Sequence, residues 1–382
     1  MKPLPVAMRT AAAALFSVAA VLAATPAHAQ QVVKIGFTSP LSGAQAGYGT
    51  DNRDGMLLAI KELNAKGIQV GGQKLQFEAV LNDDTADPRQ GVSVAQLMAD
   101  SKIRYVIGPY NSGVAIPASR VYNDAGILLL TVASNPQVTE QGYQRLFRVG
   151  ASDTQLGSKM AVYAAKEMKI KNVAVIDDRT PYGQGLADEF MAEAKRQGLN
   201  VVAKEFTTDK ATEFSAILTT IRAKKPEAIF YGGYSSQAGP LARQMTSLGL
   251  GQAKLMGGDG ICSSETARLS GGNADGMVLC TQGGSMLDRA ETGRAFIAKY
   301  RAAYNRDPLT YAAAFYDATL LLADAMQKTG SLDPGKLAEH LAAGAYKGVA
   351  GEYSFTPKHD LKSSAVTVYG FKGGQPVPLV SL

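Results

Sequence analysis

Short apolar segments alternate with longer amphipathic segments along most of the chain. The short segments are rich in Val, Ile and Leu and are bounded by Gly, Pro, Asn or Asp, which is typical of buried strands. We predict strands at 32–37, 75–81, 104–107, 127–132, 172–176, 201–206, 228–231, 254–256, 276–279 and 365–371. We predict helices at 51–66, 88–101, 112–124, 183–197, 213–223, 237–247, 290–304 and 311–328. Strands that alternate with helices of this length indicate βαβ units and a mostly parallel sheet.

The alternation of strands and helices runs through the chain twice. A first series ends near Val132, and the same rhythm begins again after Gly150, with no low-complexity tract or long linker between them. Two successive series of similar length predict two sheets and therefore two lobes. Parallel α/β sheets bind ligands outside the carboxyl ends of their strands. The loops expected there are rich in Ser, Gly, Asn and Tyr and comprise 40–48, 108–113, 133–136, 232–237 and 257–260.

The first 29 residues have the pattern of a Sec-type signal peptide. Lys2 and Arg9 form a basic segment, residues 11–24 are almost wholly apolar, and an A-x-A pattern ends at Ala29. The apolar run is too short to span a bilayer comfortably, which argues against the alternative of a membrane anchor. We therefore predict cleavage after Ala29 and export to the periplasm. Because no lipobox cysteine is present, we expect a soluble product.

The rest of the chain is long enough for two domains and carries little net charge. Removing 29 residues from 382 leaves 353, which suits two hydrophobic cores better than one. The removed segment holds two of the 39 basic residues and none of the 33 acidic ones, so the remaining net charge is 37 minus 33, or +4. A small charge scattered along helices argues for a soluble surface and against a nucleic-acid site.

The two cysteines, Cys262 and Cys280, are 18 residues apart. In an oxidising compartment an isolated pair favours a disulfide, and two buried thiols are the alternative. Their spacing does not match a C-x-x-C metal motif, and no histidine is near.

No catalytic or metal-binding motif stands out in the predicted cleft loops. His340 and His359 are late in the chain and away from those loops, and neither G-x-S-x-G nor H-E-x-x-H occurs. Asp83, Asp84 and Asp87 resemble a metal cluster, but Asp87 precedes a predicted helix and is better explained as its N-cap. We therefore predict no metal site, no cofactor and no enzymatic activity.

Several loop motifs have a recognisable order and spacing. They are IGFTSPLSGAQAGYG (35–49), NDDTADP (82–88), YVIGPYNSGVAIPAS (105–119), ASNPQVT (133–139), PYGQGLA (181–187), FYGGYSSQAG (230–239) and LMGGDGI (255–261). Together they cover essentially all of the chain after residue 29. The chain resembles the leucine/isoleucine/valine-binding proteins, the type I periplasmic binding proteins of branched-chain amino-acid ABC transporters.

This resemblance implies a fold and a set of partners. The fold has two doubly wound α/β lobes joined by three crossovers, with the ligand cleft between them. The N-terminal lobe would comprise 30–151 plus 281–353, and the C-terminal lobe 152–280 plus 354–382. The implied partners are a small amino-acid ligand, with a branched-chain or other apolar side chain, and an inner-membrane ABC permease that is contacted transiently. We expect a monomer that binds no nucleic acid.

The resemblance also implies the polar groups that bind the ligand. An amino acid presents a carboxylate and an ammonium group, and a dry cleft must pair both. Ser112 and the backbone N–H groups of its helix would receive the carboxylate, although Ser112 alone would suit a plain N-cap. Ser134 would be a second hydroxyl ligand, while Val132 and Ala133 would offer backbone groups, in a segment that also suits an ordinary turn. Asp259 would pair the ammonium and is the only acidic residue that we place in the cleft; a turn residue is the alternative.

Aromatic contacts to the ligand are implied from both lobes. The matching positions are Tyr182 and Tyr234 in the C-terminal lobe and Tyr48 and Tyr311 in the N-terminal lobe. Aromatic rings cover apolar ligand surface while the phenol provides a polar edge, but a lone Tyr is more often a packing residue. Asn111, with Tyr110 before it, lies beside Ser112 and would tune the pocket.

Two alternatives to amino-acid transport follow from the same fold. A sensor domain would be expected to precede a transmembrane or output segment, and none is seen after residue 371, so delivery to a transporter is favoured. A binding protein for short amides or for aromatic or other carboxylic acids is the second alternative.

Overall fold

The first of two β-sheets is built by the N-terminal part of the chain. The computed structural model describes residues 30–284 and 286–382, and the predicted signal peptide, residues 1–29, lies outside them. The strands are β1 (Gln31–Ser39), β2 (Gln69–Val70), β3 (Gln73–Asp83), β4 (Tyr105–Ile107), β5 (Leu128–Thr131) and β6 (Leu146–Arg148). The helices are α1 (Ala46–Lys66), α2 (Pro88–Asp100), α3 (Ser112–Asp124) and α4 (Gln137–Glu140). The strand order is β2-β3-β1-β4-β5-β6, and only β2 and β3 pair in antiparallel fashion among these described strands.

The middle of the chain builds most of the second sheet. Its strands are β7 (Asn172–Asp177), β8 (Asn200–Phe206), β9 (Ala228–Gly232), β10 (Lys254–Gly257) and β11 (Val278–Gly283), all parallel to their neighbours in this group. The helices are α5 (Asp153–Lys166), α6 (Pro181–Arg196), α7 (Ser215–Arg222), α8 (Ser235–Ser247) and α9 (Ser264–Leu269).

The C-terminal part of the chain contributes to both lobes. The segment after β11 forms α10 (Glu291–Tyr304), α11 (Ala312–Thr329), α12 (Pro334–Ala343) and the hairpin of β12 (Ala345–Lys347) and β13 (Glu352–Ser354). Helix α11 packs along α1 of the first lobe. The last two strands, β14 (Val366–Lys372) and β15 (Gln375–Ser381), complete the second sheet in the order β15-β14-β11-β10-β9-β7-β8.

The chain therefore passes between the two lobes three times, after β6, after β11 and after β13. We call the segments that make these passages the first, second and third crossovers. The predicted architecture of two α/β lobes with three crossovers is confirmed.

Alternating side chains show how both faces of the first sheet are covered. Tyr105 and Ile107 of β4 belong to the core shared with α1 and α11, whereas Val106 between them belongs to the core under α2 and α3. Successive side chains of a strand point to opposite faces, so one short apolar strand contributes to two cores. Because both faces of the sheet are buried, a ligand-binding site is expected at the carboxyl ends of its strands.

Element boundaries differ from the sequence predictions at several helix starts. The prediction for α3 agrees at both ends, but α1 begins at Ala46 rather than at Asp51. Helix α6 begins at Pro181 because the Thr180 side chain accepts from the Gly183 N–H (3.0 Å) and proline is tolerated in a first helical turn. The elements that were not predicted from the sequence are β2, β6, α4, α5, α9, α12, β12, β13 and β15.

Candidate functional site

The carboxyl ends of the two sheets face each other, and the predicted ligand residues meet there. The first lobe contributes α1, the loops after β4 and β5 and the residue before α11, and the second contributes the starts of α6 and α8 and the turn after β10. All ten predicted residues are buried: Tyr48, Asn111, Ser112, Val132, Ala133, Ser134, Tyr182, Tyr234, Asp259 and Tyr311. We call the site that they form the interlobe cleft.

The Asp259 carboxylate links both lobes within the interlobe cleft. It follows β10 in a short 3-10 turn and accepts hydrogen bonds from the Tyr182 hydroxyl at Oδ1 (2.7 Å) and from the Tyr311 hydroxyl at Oδ2. Tyr182 lies in the same lobe as Asp259, whereas Tyr311 belongs to the other lobe. Burial raises the pKa of Asp259, and the hydroxyls of Tyr311 and Tyr182 act in the opposite direction because they stabilise the charged form.

Close packing around Asp259 explains the glycine that follows it. A Cβ atom at Gly260 would lie 2.6 Å from the Gly233 carbonyl oxygen and 2.8 Å from the Tyr182 ring, so a side chain there would displace the turn. The Gly260 N–H donates to the Tyr182 hydroxyl oxygen (2.9 Å). Asp259 is therefore a turn residue whose side chain also lies in the interlobe cleft.

A second contact between the lobes is made by Tyr48, in the first turn of α1. Its hydroxyl donates to the Gly260 carbonyl oxygen (2.8 Å) and lies 2.6 Å from Ser235 Oγ and 3.1 Å from Ser263 Oγ. Burial raises the pKa of Tyr48 to about 12, so its hydroxyl remains protonated at neutral pH. Ser235 and Ser263 were not predicted as site residues: Ser235 lies in the FYGGYSSQAG motif, in which only Tyr234 was singled out, and Ser263 follows the LMGGDGI motif.

Five tyrosine rings line the interlobe cleft. Tyr110 stacks on Tyr48, with 5.3 Å between ring centroids, and meets Tyr311 edge-on at 5.8 Å. Across the cleft, the rings of Tyr182 and Tyr234 are 4.9 Å apart. Such a wall offers apolar faces to a ligand while its phenol groups supply polar edges.

Asn111 and Ser112 connect the start of α3 to the rest of the interlobe cleft. The Asn111 Nδ2 donates to the Tyr234 hydroxyl oxygen (2.9 Å) and to Gln45 Oε1 (2.7 Å). Asn111 is the N-cap position of α3 but makes no side-chain capping bond, and Ser112 is the first helical residue. Ser112 is therefore not an N-cap. Its hydroxyl oxygen instead accepts from the Asn135 N–H (3.1 Å), which joins the loops after β4 and β5.

The loop after β5 is held by several backbone hydrogen bonds. The Ala133 N–H donates to Thr131 Oγ1 (3.1 Å), and the Ala133 carbonyl oxygen accepts from the Arg148 guanidinium. The Ser134 carbonyl oxygen accepts from the Asp153 N–H (2.8 Å). Both backbone groups of Ala133, which was expected to offer backbone groups to a ligand, thus already have partners within the protein.

A second buried carboxylate, which sequence analysis missed, lies beside this loop. Asp153 is the first residue of α5 and is fully buried, and neither of its carboxylate oxygens has a hydrogen-bond partner among the described residues. Burial raises its pKa well above the ordinary value, and the negative charge of Asp259 adds to this. The positive charge of Arg148 and the polar hydroxyl of Ser134, which is near but outside hydrogen-bond geometry, favour the charged form and act against this rise. Asp259 is the only acidic residue that the motifs place in the cleft, and Asp153 is a second buried acidic side chain, to which no motif pointed.

A sequence signal for Asp153 was present. Ser152 and Gln155 form a capping box at the start of α5, in which the Ser152 hydroxyl accepts from the Gln155 N–H and the Gln155 side chain accepts from the Ser152 N–H. The S-x-x-Q pattern marks a helix start. Recognising it would have placed Asp153 at a helix start directly after the first crossover.

The structure contains the predicted disulfide and the predicted N-cap of α2. Cys262 and Cys280 are joined by a disulfide, which ties the end of the Asp259 turn to β11. The Asp87 side chain accepts from the first N–H groups of α2, as expected of an N-cap.

The described residues contain no group of His, Cys, Asp and Glu side chains suited to a metal ion. Over residues 30–284 and 286–382, no helix has the length and apolar character needed to cross a membrane.

A cavity of about 510 Å³ lies next to the crossovers, on one side of the interlobe cleft. Gly150, Gln282 and Thr310 are among its lining residues, and Tyr311 is the one predicted ligand residue that lines it. The other nine predicted residues lie outside this cavity, and several of them contact one another directly across the interlobe cleft.

Comparison with known proteins places this geometry in a family. An amino acid binding protein of Pseudomonas aeruginosa is 37% identical over 344 residues, which are 90% of this chain and 91% of the relative. A Leu/Ile/Val-binding protein homolog of Brucella abortus is 37% identical over 347 residues, with the same coverage. The structure of the Streptococcus pneumoniae branched-chain amino acid transporter substrate binding protein LivJ, in complex with isoleucine, superposes with a TM-score of 0.82 at 29% identity and covers 91% of this chain and 100% of that one.

The family model described as periplasmic binding protein matches residues 32–375, which include both lobes and all ten predicted ligand residues. Because both the sequence match and the structural match extend over nearly the whole described chain, the protein belongs to the periplasmic binding protein family.

Proposed function

We propose that this protein captures an amino acid with a branched-chain or other apolar side chain in the interlobe cleft and delivers it to an ABC permease. The observation that carries this proposal is the buried Asp259 carboxylate, which accepts hydrogen bonds from one tyrosine of each lobe. A buried carboxylate at a junction of two lobes is suited to a cationic group that arrives there and is then enclosed.

The charged ends of an amino acid have complementary groups in the cleft. The ligand ammonium would lie near Asp259 and Asp153, where the unpartnered oxygens of Asp153 supply further acceptors. The ligand carboxylate would lie at the start of α3, where the Ser112 hydroxyl and the helix dipole favour an anion, and Ser134 would supply a second hydroxyl. Neither end requires a protein group to react, so the proposed role is binding without chemistry.

The apolar part of the ligand would meet the aromatic wall. The rings of Tyr48, Tyr110, Tyr182, Tyr234 and Tyr311 surround the polar groups and can cover an aliphatic side chain. The relatives named for leucine, isoleucine and valine and the isoleucine-bound structure support this choice of side chain.

Export, lobe division and closure belong to the same proposal. We place the lobes at 30–151 plus 281–353 and at 152–280 plus 354–382, closing on the ligand by a hinge motion at the crossovers. The periplasmic location would follow from removal of residues 1–29, and a monomer would deliver the ligand to the permease. Hydrogen bonds across the cleft, such as Tyr48 to Gly260, are compatible with a closed form.

A calorimetric panel tests this function. Purified protein, first unfolded and refolded to remove any bound solute, is titrated with leucine, isoleucine, valine, alanine, glutamate and lysine, and with benzoate and acetamide. We expect saturable one-site binding that is tightest for the apolar branched amino acids. Binding of benzoate or acetamide without binding of any amino acid would replace this proposal with the carboxylic-acid or amide alternative.

A further inference from the structure

Arg148, the last residue of β6, is a fully buried cation that contacts two other segments of the chain. Its Nε donates to Asp360 Oδ1 (2.6 Å), in the third crossover. Its Nη1 donates to the Ala133 carbonyl oxygen and its Nη2 to the Asn135 carbonyl oxygen (3.0 Å), both in the loop after β5. One guanidinium group thus joins the end of the first sheet, a ligand loop and a crossover.

In the loop after β5, hydrogen bonds from Arg148 and Asp153 hold the backbone on both sides of Ser134. The carbonyl groups of both neighbours of Ser134 are bound by Arg148, and the Ser134 carbonyl is bound by the Asp153 N–H. The Asn135 N–H is bound by the Ser112 hydroxyl (3.1 Å). Because the peptide groups on both sides of Ser134 are fixed, the direction of its Cα–Cβ bond is fixed as well.

In the third crossover, Asp360 is held by a tight turn and by contacts with α4 and β6. Asp360 ends a tight turn in which the Thr356 N–H donates to the Asp360 carbonyl oxygen (2.7 Å) and the Asp360 N–H donates to Thr356 Oγ1 (3.2 Å). The Thr139 hydroxyl is 3.1 Å from both carboxylate oxygens of Asp360. The His359 ring stacks on Phe147, with 4.1 Å between centroids, which packs the turn against β6.

We propose that Arg148 is a positioning residue for the ligand loop 133–135 and that, through Asp360, it couples the geometry of this loop to the third crossover. This inference rests on the proposed function in that it gives Ser134 a role in ligand binding. The planar guanidinium offers five N–H donors in a rigid fork, so it can hold two carbonyl groups and a carboxylate together. A lysine ammonium is a compact point charge and cannot reproduce that fork.

The first test is Arg148→Lys, which keeps the charge and removes the fork. We expect the affinity for L-leucine, measured by calorimetry, to fall about 10- to 100-fold, as is typical when a group that supports a binding site is lost. In the ligand-free protein, we expect amide hydrogen exchange to become faster in the peptide that covers residues 132–140, with little change in the core strand β1.

A second variant, Asp360→Asn, tests the inference even if Arg148→Lys does not fold. Asp360→Asn removes the charge of a partly exposed side chain while leaving an oxygen that can accept from Nε. Asp324→Asn is the matched control, since Asp324 also pairs with a cation, Lys328, and the Asp360 and Asp324 side chains are 29% and 28% exposed. We expect Asp360→Asn to weaken leucine binding severalfold and to loosen the ligand loop, and we expect Asp324→Asn to do neither.

A double-mutant cycle with Ser134→Ala separates positioning from a general loss of stability. If Arg148 acts by placing Ser134, Arg148→Lys should cost less affinity in the Ser134→Ala background than in wild type. Additive effects, unchanged exchange at 132–140, or equal leucine affinity of Arg148→Lys and wild type would each overturn the inference. If wild type fails to bind leucine, or if Ser134→Ala binds it normally, the proposed function or the role of Ser134 fails instead, and the exchange result still decides whether Arg148 holds the loop.

Discussion

Two carboxylates are buried in the same cleft, yet their surroundings differ. Asp259 lies in a turn after β10, and each of its oxygens accepts from a tyrosine hydroxyl. Asp153 lies at the start of α5 and has no hydrogen-bond partner for either oxygen among the described residues. Asp259 is therefore held by tyrosines of both lobes, whereas Asp153 retains acceptors that a ligand can use. This difference separates a carboxylate that joins the two lobes, and that we expect to pair the ammonium, from one that we expect to add a further acceptor to the same group.

The largest effect is expected from Asp259→Asn. Removing one partner of a buried charge pair costs about 3–5 kcal/mol. At a factor of ten per 1.4 kcal/mol, this corresponds to about a hundred- to several-thousand-fold weaker binding of the amino acid. Calorimetric titration with leucine measures it, and thermal unfolding of the ligand-free variant should remain close to wild type. Wild-type affinity in Asp259→Asn would show that this carboxylate does not pair the ammonium.

The next effect concerns the tyrosines that hold Asp259. Tyr311→Phe removes a hydrogen bond between the lobes, and hydrogen bonds to charged groups contribute about 1.5–3 kcal/mol. We expect leucine affinity to fall about ten- to a hundredfold. Tyr182→Phe is the matched control, because it removes a bond to the same carboxylate within one lobe. It should weaken binding less, since closing the lobes neither makes nor breaks that bond, and equal losses would contradict a role of Tyr311 in closure.

A smaller effect, with opposite signs on binding and stability, is expected from Asp153→Asn. The variant removes an acceptor for the ammonium and should weaken leucine binding about tenfold, roughly the value of one charge-assisted hydrogen bond. In the ligand-free protein it removes a buried carboxylate without a partner, so the unfolding temperature should rise by about 2–4 °C. A fall in that temperature would mean that Asp153 is stabilising in the free protein.

The effect of Asp153→Asn on the stability of the folded protein should depend on pH. Because the pKa of Asp153 is raised in the folded state, the unfolded state releases this proton at lower pH than the folded state does. This group therefore destabilises the folded protein progressively as the pH rises above about 4, the ordinary pKa of an aspartate. The stabilising effect of Asp153→Asn should be small near pH 4 and should grow toward neutral pH, as measured by unfolding of both proteins across that range.

The smallest effect is expected from Ser112→Ala. The variant removes one hydroxyl donor to the ligand carboxylate. Because the backbone N–H groups at the start of α3 can still donate to that carboxylate, we expect the loss to stay below the usual value for a hydrogen bond to a charged group, about 1.5–3 kcal/mol. Leucine affinity should fall about two- to tenfold, less than for either carboxylate variant. A loss as large as that of Asp259→Asn would shift the centre of recognition from the ammonium to the carboxylate.

The sequence was sufficient to predict most of the architecture. The apolar strands and the helices between them follow from short Val-, Ile- and Leu-rich segments, and α3 was predicted at both ends. Prediction was less accurate where a helix start depends on capping. Tyr182 was expected in a loop but lies in the first turn of α6, because Thr180 caps that helix and Pro181 fits its first turn.

The site was only partly predictable from the sequence. Motifs pointed to Asp259 and its tyrosines, but which hydroxyl meets which oxygen depends on how two lobes built from separate segments come together. Asp153 was missed because the S-x-x-Q capping box that contains it, Ser152 to Gln155, was not recognised. Arg148 was missed for a different reason. It ends a three-residue strand, and its partners at Ala133, Asn135 and Asp360 are joined only by the folded chain.

The central claim is that the cleft recognises an ammonium group, and one pair of ligands tests it most directly. Leucine and 4-methylpentanoate share the carboxylate and the branched side chain and differ in the ammonium group. We expect calorimetry to show that wild-type protein binds leucine at least about a hundredfold more tightly than 4-methylpentanoate, because the analogue leaves Asp259 and Asp153 without their cation. We expect Asp259→Asn to reduce that preference sharply. Equal or tighter binding of 4-methylpentanoate by the wild-type protein would contradict ammonium recognition at this site.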